Sequence, residues 1–130
     1  MEQAKEKLKF EIVCLEKAIG TLKLALSEPM NDIVRDAVIQ RFEYVFELSW
    51  KTMQTAAGYM GNVCNSPREA IKGSFKMGWL ENADDWLEAM EARNKTSHTY
   101  NEKLANEVYE VARKFPPLAE SLLALLKKVF

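Results

Sequence analysis

The chain has 130 residues, 48% of them hydrophobic and 28% charged, with a formal net charge of −1. That composition suits one folded domain, residues 1–130, burying roughly two-thirds of its unfolded surface, and excludes a disordered chain. Weak acidity argues against the broad basic footprint of a DNA-binding protein, and no run approaches the roughly 20 apolar residues of a membrane span, so a cytoplasmic protein with neither DNA nor membrane as partner is expected.

Leu8, Ile12, Leu15, Ile19, Leu22 and Leu26 recur at alternating steps of four and three, the repeat of one helix face. Pro29 interrupts, and Asn31 or Asp32 is placed to cap a second helix starting near Ile33. This helix carries Val34, Val38, Phe42, Val45, Ser49 and Met53, widened by Phe46 and Trp50, and runs to Gly58 or Gly61; Met60 to Asn65 reads as a loop. Ser66-Pro67-Arg68-Glu69 starts a third helix. Ser66 can accept from a free backbone N–H, Pro67 needs no donor at the first helical position, and Glu69 can reach back. Gly78 is placed to end this short helix. Asn82 can cap a fourth, with Trp86, Leu87 and Met90, and Trp79 can pack as a staple beside it. Asn101 or Thr99 can cap a fifth, carrying Leu104, Val108, Val111, Phe115, Leu118, Leu122 and Leu125, and Pro116-Pro117 should kink it. No strand pattern appears. The expected architecture is all-α, an up-and-down four-helix bundle with an additional short helix.

The segment Arg93-Asn94-Lys95-Thr96-Ser97-His98-Thr99-Tyr100 holds the only histidine. Histidine exchanges protons near neutral pH, arginine offers a fork of donors suited to phosphate, and a tyrosine hydroxyl can donate, accept or receive a transferred group. Together these parts could handle a phosphodiester without a metal. The plainer alternative is a histidine that only caps a helix end. Tyr100 lies in a polar run that favours exposure, whereas Phe42, Phe46 and Trp50 sit at core spacing. Glu43 and Glu47 share a helix face and are candidates to orient Arg93, although Glu47 with Lys51 also makes an ordinary surface pair. Phosphate-binding glycine loops and helical metal motifs are missing, one histidine cannot build the usual zinc sites, and Asp84-Asp85 reads as helix-start charge. Cys14 and Cys64 make neither a metal spacing nor a disulfide framework, so no metal and no intrinsic cofactor are expected.

The Arg-x4-His pattern with Asn94 after Arg93 is similar to the motif of HEPN-domain helical proteins. The longer series, from Phe42-Glu43-Tyr44-Val45-Phe46-Glu47-Leu48-Ser49-Trp50-Lys51 through Ser66-Pro67-Arg68-Glu69 to Arg93–Tyr100, resembles nucleotidyltransferase substrate-binding proteins, which pair with a separate minimal nucleotidyltransferase. The resemblance implies a bundle that forms a homodimer and binds that enzyme, in some cases as a toxin–antitoxin pair. It implies that ATP and magnesium belong to the partner, and that Tyr100 is an acceptor of adenylate. It also implies the alternative of a metal-independent ribonuclease, in which His98 is general acid or base for RNA, Arg93 holds the phosphate and Asn94 orients His98. A purely structural bundle is the remaining reading.

On one straight helix Asn94 and His98 would lie about 40° apart, but Arg93 and His98 about 140° apart. Either the helix unwinds near Ser97, or two subunits complete one cleft. The second choice places the fourth helix near the axis of a two-fold homodimer.

Overall fold

Local caps set most of the helix boundaries in the computed structural model, which describes residues 2–130. The elements are α1 (Glu2–Leu26), α2 (Asp32–Tyr59), α3 (Pro67–Lys76), α4 (Ala83–Asn94), a 3-10 turn (Thr96–His98), α5 (Glu102–Lys114) and α6 (Pro116–Val129). Asn31, Asn82 and Asn101 each place a side-chain oxygen on the backbone N–H three residues ahead, at 2.8, 3.2 and 3.1 Å. Each satisfies a donor that a helix start otherwise leaves free. Ser66 does the same for Glu69 at 3.2 Å. The reciprocal bond falls one residue earlier than expected: the Glu69 carboxylate accepts from Asn65 N–H at 2.7 Å.

Two helices close alike. After α3, Trp79 N–H reaches Ser74 C=O and Gly78 N–H reaches Phe75 C=O; after α2, Asn62 reaches Ala57 and Gly61 reaches Gly58. This pair of bonds requires a left-handed residue between helix and exit, and Gly78 and Gly61 supply it with φ of 79° and 90°. A Cβ at Gly78 would meet nothing within 4 Å, so the cost of adding one is conformational. Gly78→Ala is expected to lower the unfolding free energy by about 1–2 kcal/mol in urea denaturation.

The expected fifth helix is divided in two. Pro116 and Pro117 have no N–H for the carbonyls of Ala112 and Arg113, and Leu118 N–H bonds Phe115 C=O instead. Phe115 keeps right-handed dihedrals (φ −75°, ψ −36°), so the path bends rather than turns back. The all-α bundle stands, with the proline pair ending one helix and starting the next.

α2 is the central element, packed against every other helix, with α1 as its main neighbour. α6 lies antiparallel along α1, as the surface pairs Lys23–Glu120 and Lys127–Glu16 record. Phe115 is the hub of the aromatic core. Its ring is 5.2 Å from Phe42 and 5.2 Å from Trp86, both near perpendicular, and 6.1 Å from Phe46. Trp79, buried, stands edge-on to Phe130. Arg35 is a buried cation that joins the start of α2 to the start of α5 through Asp36, Asn106 and Glu102.

Both cysteines are free thiols. Burial, and then the neighbouring Glu69, push the Cys64 thiol up from its ordinary value. Among the described residues no helix is long and apolar enough to cross a membrane.

Candidate functional site

Arg93 sits on the last turn of α4 and faces α2. Its Nε donates to Glu47 Oε1 at 2.9 Å, and Nη2 approaches the same oxygen at 2.9 Å. Glu43, one turn earlier on α2, is 4.0 Å from Nη2. The second oxygen of Glu47 accepts from Trp50 Nε1 at 3.2 Å and lies 3.9 Å from Lys51 Nζ. Both side chains of the Arg93–Glu47 pair are about one-third exposed (29% and 30%). Solvent therefore screens their attraction less than in an open surface pair. The guanidinium has five N–H donors in a fixed plane. Nε and Nη2 are engaged by Glu47, and Nη1 makes no hydrogen bond to the described residues.

Past Arg93 the chain changes helix type. Lys95 N–H bonds Ala92 C=O, His98 N–H bonds Lys95 C=O, and Asn101 N–H bonds His98 C=O, all three-residue spacings. Two threonines reinforce the change: Thr96 Oγ1 donates to Arg93 C=O at 2.8 Å and Thr99 Oγ1 to Thr96 C=O at 3.0 Å. Threonine hydroxyls compete in this way with the ladder of a continuing α-helix. Of the two choices that the straight-helix geometry left open, the chain takes the first: the helix ends at Asn94 and tightens into a 3-10 turn. The angular argument for a cleft shared by two subunits falls with it. So does the shared helix face of Asn94 and His98, because one ends α4 and the other ends the 3-10 turn.

The imidazole of His98 and the ring of Tyr100 meet edge to face with centroids 6.2 Å apart. His98 is exposed, and Tyr100, at 88%, is the most exposed large hydrophobic side chain among the described residues. The structure thus joins Arg93 to Glu47, and His98 to Tyr100, on one short stretch of chain. The hydrogen bond from Trp50 escaped the sequence reading. Its signal was the i, i+3 spacing from Glu47, hidden because a tryptophan among core phenylalanines reads as filler. Among the described residues no three His, Cys, Asp or Glu side chains gather as metal ligands.

Comparison with known proteins finds relatives of the sequence and of the fold. A family model described as "nucleotidyltransferase substrate binding protein like" matches residues 9–128. A crystal structure from Thermus thermophilus superposes with a TM-score of 0.81 at 36% identity, covering 86% of this chain and 98% of that one. A Haemophilus influenzae structure, described as revealing the fold of a substrate binding domain of a nucleotidyltransferase, has a TM-score of 0.64 at 25% identity, covering 94% of this chain and 98% of that one. The chain is also 29% identical over 85 residues to a Haemophilus influenzae protein named "Probable ribonuclease HepT". That match spans 62% of this chain and 58% of the relative's length.

Proposed function

The chain belongs to the nucleotidyltransferase substrate-binding-like family, and on that premise we propose that it serves as the helical partner subunit of a separate minimal nucleotidyltransferase. The observation that carries the reading is a family match over residues 9–128 that includes an outward-facing Tyr100. In this reading Tyr100 Oη attacks the α-phosphorus of ATP bound to the partner. A phosphodiester forms, pyrophosphate leaves, and the phenol proton passes to a base of the enzyme, which the attacking hydroxyl needs to become a competent nucleophile. ATP and magnesium belong to the nucleotidyltransferase. The added phosphate would lie on the same stretch as Arg93, whose Nη1 edge can pair with it.

Incubation with the purified nucleotidyltransferase, ATP and magnesium should raise the intact mass by one or more adenylates in the wild type and by none in Tyr100→Phe. An equal gain in both proteins moves the acceptor elsewhere. No gain in either leaves a binding subunit without an acceptor role.

The similarity to "Probable ribonuclease HepT" and the exposed imidazole of His98 favour a second reading. Here the free chain cleaves RNA, His98 moves the proton of the ribose hydroxyl or of the leaving oxygen, and Arg93, held by Glu47, binds the phosphate. Adenylation of Tyr100 then silences the site, a toxin–antitoxin relationship in which the chain is a cytoplasmic homodimer.

A further inference from the structure

Three hollows line up along one side of α4. The widest, about 400 Å³, lies over Trp86 and Leu122. The next, about 120 Å³, lies over Ala89 and Phe115, and the last, about 80 Å³, over Ala92 and Val108. Asp85 and Leu118 border both the first and the second; Glu88 and Val111 border both the second and the third. They form one groove, which ends at Lys95 beside the 3-10 turn that carries His98.

The two walls differ in chemistry. The α4 wall carries Asp85, Glu88 and Glu91, with Glu81 just ahead of the helix; all four are exposed and separated in sequence by four, three and three residues. The opposite wall carries Val111, Leu118 and Leu125, each half-buried and separated by seven, with the exposed Glu107 and Lys114 beside them. That spacing survives the proline pair because Phe115 keeps helical dihedrals. An apolar repeat of seven is the seam along which one helix packs on another. On one straight helix Val111 to Leu125 would span about 21 Å; the bend at Pro116 shortens the seam and curves it around α4.

We infer that this groove receives a basic amphipathic helix of a partner protein. Its apolar side chains, spaced by threes and fours, would lie against Val111, Leu118 and Leu125, and its lysines and arginines would face the row of carboxylates. Charge selects this occupant. An RNA backbone would meet like charge along the α4 wall. A second copy of this chain offering the same face would set its carboxylate row either against its twin or against the apolar wall, burying unpaired charge in both cases. Assigning the helix to the nucleotidyltransferase rests on the function proposed above; the chemistry of the groove does not.

The probes are synthetic peptides of about five turns: a leucine–lysine peptide with one apolar face, the same composition scrambled to remove that face, and a leucine–glutamate counterpart. Backbone amide shifts locate binding. The patterned leucine–lysine peptide should move Ala89, Val111 and Leu118 at micromolar concentration, with no such response to the other two. Glu88→Lys with Glu91→Lys should weaken it by about tenfold or more without changing the melting temperature. Shifts centred elsewhere, an equal response to the leucine–glutamate peptide, no response, or unchanged affinity in the double variant would each overturn the proposal. The peptide is then added to the complex with the nucleotidyltransferase. Release of the enzyme assigns the helix to it; retention, with the peptide seated in the groove, sinks only that assignment.

Discussion

Phe115→Ala lowers the free energy of unfolding by about 3–5 kcal/mol, the range for deleting a buried phenylalanine ring from a packed core. Phe115 is 1% exposed, and three other aromatic rings have their centroids within about 6 Å of its own. The backbone around it cannot easily collapse into the space left behind, because Pro116 and Pro117 fix their own φ angles. The loss therefore falls at the upper part of that range. Phe10→Ala is the matching control: its ring is 68% exposed and its removal should change stability by less than about 0.5 kcal/mol. Urea denaturation of both variants gives the comparison. A loss below about 1 kcal/mol for Phe115→Ala, with an unchanged denaturant slope, would show that the ring is not the hub of the core.

If the free chain cleaves RNA, His98→Ala should slow cleavage by about 10²–10⁴-fold, the usual contribution of a positioned acid or base. His98 is exposed and outside the core, so helical content and melting temperature should stay unchanged. Arg93→Ala should also remove most activity, with an additional loss of about 1 kcal/mol in stability, because Glu47 loses its principal partner while Trp50 and Lys51 remain near it. Glu47→Gln keeps an acceptor for Arg93 and should fall between wild type and Arg93→Ala. Cleavage should survive a chelator, since no three potential metal ligands gather among the described residues. Cleavage that persists at full rate in both His98→Ala and Arg93→Ala, or that EDTA abolishes, would falsify the ribonuclease reading.

What could be read in the sequence were the features decided by near neighbours. Asn31, Ser66, Asn82 and Asn101 act on residues three positions away, Gly61 and Gly78 satisfy carbonyls within the preceding turn, and Pro116-Pro117 withhold donors from the turn before them. Such signals need no knowledge of the tertiary fold. The end of α4 was harder, since neither glycine nor proline marks it. Thr96 and Thr99 turn their hydroxyls back on the chain there, and threonine is common enough inside helices to hide that role. The pair of Glu47 and Arg93 spans 46 positions; helix spacing could nominate Glu47, but only the packing of α4 on α2 brings the two together. The groove along α4 was not legible at all. Its walls come from separate helices, and Val111, Leu118 and Leu125 first read as ordinary core positions.

The 3-10 turn from Thr96 to His98 is fastened by bonds of the shortest helical span and by two threonine hydroxyls, and none of its three residues is buried. Its opening therefore costs a local free energy, well below that of unfolding the bundle. On either side the chain is anchored, by Arg93 to α2 and by Glu102 to the buried Arg35. The segment between these anchors can loosen and close again while α4 and α5 keep their places on the core. Tyr100 rides on it, so an enzyme that draws the tyrosine outward would deform a few residues and leave the fold intact.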